Sequence, residues 1–320
     1  MRNNTKKEDE ELNMTLVTAP ESPIVGKLQG VHLFHYDGAP CAQRVRFALH
    51  EKGLQRGREV KFDADDPAAC VGEEGAWVSR RVSLVKLEHM TEAYAKIHPN
   101  LVVPALVHDG ALHIESMDII RYLDDAFGGE PLVPVNNQAV MDDASALTEL
   151  GKQLHRSIRF VSFRWGLRGL ARLSKKDEEQ MRELLKGSSD GEKLVEFYEG
   201  YDNRTIPDSV YEGHLEKLNE AFRQHEARLS DGRKFLTGDT ITMADVIWAM
   251  KTLRLIECDY PFDECFPVYW TWYQRIASRP SFREGVMGKH RLMSGAFKMK
   301  GKVENILGIG LKREVLKRVA

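Results

Sequence analysis

The sequence predicts an α/β domain followed by an all-helical one. Strand-like and helix-like patterns alternate from about residue 29 to residue 128. From about 138 to 285 the apolar spacing is helical throughout. Between the two lies "GGEPLVPVNN" (128–137), whose glycines and prolines punctuate the chain as a linker does. A chain of 320 residues has room for two ordinary domains.

The first element is "VHLFHY" (31–36), with the composition of a short buried strand. In "DGAP", Asp37 and Gly38 bend the chain and Pro40 suits the first turn of a helix. Val45, Ala48 and Leu49 then share a helix face, leaving Arg44, Arg46, Glu51 and Lys52 on the solvent side, and Gly53 stops the helix. "REVKFDA" (58–64) alternates as a second strand, which completes a strand-helix-strand unit. Residues 65–83 read as irregular, and 84–97 as a helix. "VVPALVHDGALHI" is a hairpin around "HDG". Pro104 inside its first strand would cost a ladder hydrogen bond, so it points to an edge position or a cis turn. "ESMDIIRYLDDAFGG" is a helix with an apolar face at Ile119, Ile120 and Leu123. The order βαβ, α, ββ, α is that of a thioredoxin-like domain.

In the second half the best helical segments are 138–170, 174–187, 207–230, 242–257 and 267–278. "TMADVIWAM" carries a capping-box pattern, Thr242 with Asp245, which assigns Asp245 to capping and helix placement. At the ends, residues 1–28 are polar and acidic, expected as a flexible arm without the apolar core of a secretory signal. Residues 286–320 carry nine Lys/Arg against two Glu, expected as a solvated, partly disordered basic tail or as an arm for an acidic partner.

Composition excludes several classes. The chain is 42% hydrophobic and 29% charged, with a net charge of −2, so no global charge footprint for nucleic acid or membrane is present. No apolar run is long enough for a membrane helix. Neither nucleic acid nor membrane is expected as a partner. Cys41, Cys70, Cys258 and Cys265 are scattered without metal spacing, which suggests reduced thiols, no metal and a cytoplasmic home.

"YDGAPCAQRVRFALHEKGL", "IHPNLVVPALVHDGALHIESMDIIRYLDDAFG" and "LTGDTITMADV", in this order, make the chain resemble a glutathione S-transferase. The resemblance implies that fold, with a thioredoxin-like domain over 29–128 and an all-helical substrate domain over 138–285. It implies glutathione as co-substrate and a dimer, either of this chain or with a related transferase subunit. It implies a cis Pro104, a Val103 backbone that pairs with the cysteinyl unit of glutathione, and a Glu115-Ser116 pair that holds the γ-glutamyl end. The chemistry agrees: a helix start favours a carboxylate, and Glu115 offers negative charge to an ammonium. "RSIRFVSFRWGLRGLARLSKKDEEQ" and "LVEFYEGYDNRTIPDSVYEGHLEKL" further resemble the bacterial lignin β-etherases. In that branch the glutathione thiolate displaces an aryl oxide from the β-carbon of a lignin-derived ether and leaves a thioether. The alternatives are a silent structural subunit of a heterodimeric β-etherase, and a general transferase or thiol-exchange enzyme.

The thiolate is the nucleophile, so the site has to ionise it. Relatives use a hydroxyl or a cysteine at the turn, together with the N-terminus of the following helix. Here the turn reads Gly38, Ala39, Pro40, Cys41, Ala42, with no serine. Three readings stay open: Cys41 acts as S–H donor or exchange partner, the Ala42 backbone N–H and helix dipole suffice, or the turn is silent. For the aromatic β-aryl ether, the resemblance points to the start of the helical half, where His155, Arg159, Phe163 and Trp165 lie; Arg159 and His155 have the chemistry to polarise a carbonyl.

Overall fold

The computed structural model describes residues 16–135, 137–170 and 172–319. Two compact units form. One takes in residues up to Glu130 together with Arg172–Asn203; the other takes in the rest.

The first unit is built on a six-stranded mixed sheet: β1 (Leu16–Val17), β2 (Val31–His35), β3 (Gln55–Lys61), β4 (Ala76–Arg81), β5 (Ala105–His108) and β6 (Ala111–His113). Their order across the sheet is β1-β6-β5-β2-β4-β3. β2 runs parallel to β4 and antiparallel to β5, with Phe34 opposite Ala105. Helix α1 (Pro40–Glu51) follows β2, and helix α2 (Ser116–Ala126) follows the β5–β6 hairpin and packs against α1. This is the expected thioredoxin-like arrangement with two differences. The stretch read as a helix over 84–97 forms only the short turns Glu88–Met90 and Glu92–Ala95. The strand beside β2 is β4, which lies inside the stretch read as irregular, and β3 is displaced to the edge.

"AWVSRR" hides its strand character because of its arginines. Arg80 is buried and donates to the carbonyls of Phe62, Ala64 and Ala69 and to His32 Nδ1. Those partners are remote in sequence, so the charge looks solvated when it is not. The same applies to α1. Arg44, Arg46 and Lys52, expected on a solvent face, are all buried. Lys52 pairs with Asp124 at 2.6 Å and donates to the Glu130 carbonyl, tying α1 to α2 and the chain beyond it.

The arm expected over 1–28 is structured from Leu16 onward; residues 1–15 lie outside the described ones. Leu16 and Val17 pair with β6, and Ile24, Val25 and Leu28 enter the core of the first unit. Residues 174–203, assigned by sequence to the helical half, belong to this unit as well. Helices α3 (Lys175–Leu184) and α4 (Ser189–Asp202) place Met181, Leu185 and Val195 in a cluster with Met90 and Leu101.

The second unit is helical. Its long elements are α5 (Gln138–Gln153), α6 (His155–Val161), α7 (Asp208–Leu229), α8 (Met243–Ile256) and α9 (Pro267–Ala277). α8 is buried almost all round, and Trp248 donates to the Leu147 carbonyl at 3.0 Å. Asp245 accepts from the backbone N–H of Leu236 and of Thr242 and from Trp272 Nε1, so the capping residue also fastens a loop and a neighbouring helix. The tail is folded, contrary to expectation, into α10 (Arg291–Ile306) and α11 (Leu311–Val319).

Candidate functional site

The turn after β2 is held rigidly. Ala39 N–H donates to Tyr36 O, and Ala39 is extended (φ −86°, ψ 120°) as the residue before α1. Arg46 reaches back from α1 to the carbonyls of Tyr36 and Asp37 and to His35 Nδ1. Asp37 also pairs with Arg56 at 2.7 Å. Burial alone raises the Asp37 carboxyl, but Arg46, His35 and Arg56 outweigh it and hold the pKa at about 2. Burial lowers Arg46 to about 10, which leaves it charged at neutral pH.

Pro40 occupies the first position of α1, and no side chain caps the helix start. The next amides, those of Cys41 and Ala42, have no intrahelical acceptor. Ala42 has no exposed surface, whereas Cys41 is half-buried; Cys41 is the member of the pair that reaches solvent.

Val103-Pro104 is a cis peptide bond just ahead of β5. Tyr94 Oη donates to the Val102 carbonyl at 2.8 Å and fixes the approach to it. Val103 belongs to the same hydrophobic cluster as Ala39 and Ala42.

Glu115 is exposed, with φ 64° and ψ 106°. A non-glycine residue in that region carries strain of about 1–2 kcal/mol. Ser116 opens α2, and its Oγ accepts from Arg44 Nη1 at 3.3 Å. Arg44 Nε and the side-chain amide nitrogen of the neighbouring Gln43 are buried without a hydrogen-bond partner among the described residues. Buried donors without acceptors are costly unless a ligand satisfies them. Arg44 and Gln43 were missed because the spacing of α1 marks them only as off the apolar face.

Cys41, Ala42, Val103, Pro104, Glu115 and Ser116 therefore all lie in the first unit. His155, Arg159, Phe163 and Trp165 lie in the second. His155 and Arg159 are on α6, and Phe163 and Trp165 are in the π-helical turn Ser162–Gly166 that continues it. His155, Arg159 and Phe163 are half-buried and share a face by their spacing of four. Trp165 is buried against Tyr211, so it serves the core. Among the described residues no group of His, Cys, Asp and Glu is arranged to hold a metal ion, and no helix is long and apolar enough to cross a membrane.

Two family profiles match the chain: "Glutathione S-transferase, N-terminal domain" over 33–131 and "Glutathione S-transferase, C-terminal domain" over 208–275. The chain belongs to the glutathione S-transferase family. The family's co-substrate is glutathione. Glutathione S-transferase 1 of Dianthus caryophyllus is 34% identical over 110 residues, 34% of this chain and 40% of that protein. Glutathione S-transferase Z2 of Arabidopsis thaliana is 25% identical over 80% of this chain and 91% of its own length. Among solved structures, the β-etherase LigF of Sphingobium sp. strain SYK-6 superposes with a TM-score of 0.65 at 20% identity, covering 80% of this chain and 98% of that one. Glutathione transferase F7 of Populus trichocarpa gives 0.56 at 22% identity, over 81% and 98%. At these identities the structural likeness speaks for the fold.

Proposed function

We propose that this protein is a glutathione transferase that cleaves β-aryl ethers of lignin-derived aromatics. The observation that carries the glutathione site is the start of α2. An exposed carboxylate in a strained backbone, a helix N-terminus and the buried Arg44 converge at Glu115-Ser116. A γ-glutamyl group presents an ammonium and a carboxylate, and this set answers both. In this reading the backbone of Val103, next to the cis Pro104, pairs with the cysteinyl unit. The thiol then rests at the Ala39–Cys41 turn, where the α1 dipole and the Cys41 N–H and thiol favour its ionised form.

The thiolate attacks the β-carbon, a C–S bond forms, and the C–O bond breaks with its electron pair leaving on the aryl oxide. His155 and Arg159, in the second unit, have the chemistry to polarise a ketone. The ether reading is supported by the sequence of 156–180 and 194–218 and by the likeness to LigF. Four unpaired cysteines suit a cytoplasmic setting.

A second reading has support from Ala39. The residue at the start of α1 offers neither hydroxyl nor thiol, as in a subunit whose catalysis is left to a related partner. One assay separates the outcomes. The purified chain is incubated with glutathione and a fluorogenic α-keto β-aryl ether, and phenol and thioether are measured. Equal yields of both support ether cleavage. Conjugation of an aryl halide without ether cleavage retains the transferase and rejects the etherase. No turnover alone, restored by a partner subunit, identifies the silent subunit.

A further inference from the structure

We propose that the outward face of α10 docks on an anionic lipid surface. α10 carries an apolar stripe on the side turned away from its packing contacts. Its inner side mixes small and polar groups with the half-buried Met293 and Phe297. Ser294 is buried, Asn305 Nδ2 donates to Asp259 Oδ2 at 2.6 Å, and a Cβ at Gly301 would come within 2.9 Å of the Asp259 Cβ. Its outer side is apolar. Leu292, Met299, Val303 and Ile306 fall within about 60° of arc at 3.6 residues per turn. Leu292 is 89% exposed, Ile306 84% and Met299 67%. Surface helices bury their apolar stripe, so a helix that presents it to water lacks its covering.

Charge selects the occupant. Arg291, Lys298 and Lys302 form a row along one edge of this stripe, and no carboxylate among the described residues pairs with them. On the other edge Lys300 is satisfied by Glu304. Pairing two copies through this face, parallel or antiparallel, gives the three cations no free carboxylate, and the antiparallel arrangement sets them against their own kind. The stripe is aliphatic and its border is rich in lysine. Protein-binding hot spots instead favour Trp, Tyr and Arg and are poor in lysine. Aliphatic side chains entering the acyl boundary beside cations at headgroup level is the pattern of an interfacial helix. The chain's net charge of −2 conceals this local segregation, and for that reason the composition gave no hint of a membrane partner.

The test is co-sedimentation of the full chain with vesicles of phosphatidylcholine alone or with one third phosphatidylserine. Binding at least about ten-fold tighter to the serine-containing vesicles, and weakened by added salt, is expected. Leu292→Ser/Ile306→Ser and Arg291→Glu/Lys302→Glu should each lose at least about ten-fold. All four side chains are exposed, so the melting temperature should not move. Absence of vesicle binding, or equal binding to both vesicles, overturns the proposal. So does self-association in sedimentation velocity that Leu292→Ser/Ile306→Ser abolishes, which gives the face to a second copy. Binding of poly-glutamate, abolished by the same pair and without vesicle binding, gives it to an acidic protein and also overturns the proposal.

Discussion

Replacing Glu115 by glycine separates what this residue does for folding from what it does for binding. Its backbone sits at φ 64°, which costs an L-residue about 1–2 kcal/mol and glycine nothing. The glycine chain is also freer when unfolded, which returns about 0.4–1 kcal/mol of that gain. The net is a stabilisation of about 0–1.6 kcal/mol. With an unfolding entropy of about 2.1 cal/mol/K per residue, the melting temperature should rise by no more than about 2–3 °C. Binding has no such compensation. A charge-assisted hydrogen bond contributes about 1.5–3 kcal/mol, so glutathione affinity should fall roughly ten- to one-hundred-fold. Calorimetric titration of glutathione, beside thermal melts of both proteins, reads the two quantities. Unchanged affinity in a folded variant would refute the assignment of Glu115 to the γ-glutamyl end. A fall of many degrees in the melting temperature would show that Glu115 holds the fold together.

Three further outcomes follow from the structure. Ala39→Ser supplies the missing cap of α1 in a backbone conformation suited to it, so it should add about 1 kcal/mol of stability and raise the rate of thiol conjugation; a faster melt and a slower enzyme would contradict this. Burial holds His98 at about 4 and His225 at about 3, below the ordinary value near 6.5. The unfolded chain therefore binds their protons first, and stability present above pH 6.5 is lost as the pH falls toward those values, by about 2 kcal/mol per histidine at pH 5; His98→Gln and His225→Gln should each flatten the pH dependence in scanning calorimetry. Gly166 lies where a Cβ would collide with Cys258 Sγ, so Gly166→Ala should cost about 1–3 kcal/mol, and Cys258→Ala in the same chain should recover part of it.

The sequence disclosed what depends on local rules. β2, the DGAP turn and α1 follow from apolar spacing, turn residues and Pro40. The hairpin and the start of α2 follow from "HDG" and "ES". The helices of the second unit follow from their periodicity, and the capping box marks the first residue of α8. What stayed hidden depends on partners remote in the chain. β4 is disguised by Arg80, whose acceptors lie in the 62–69 segment and in β2. Arg44 looks like a solvated charge until Ser116 arrives beside it. Residues 175–202 read as part of the helical half because periodicity says what an element is, not where it packs. The tail reads as a basic arm because a helix with its apolar face outward has the composition of a solvated segment. Within the candidate site, Val103, Pro104, Glu115 and Ser116 carried their own signals. At the turn, spacing alone did not show that Cys41 reaches solvent while Ala42 is buried.

The central claim is that this turn ionises glutathione without a serine. The direct measurement is the ultraviolet thiolate absorbance of bound glutathione against pH, with S-methylglutathione as the reference so that the protein's own cysteines cancel. The bound thiol should titrate below free glutathione and return toward the free value in Cys41→Ala. A bound thiol that titrates like free glutathione in the wild-type protein would contradict it.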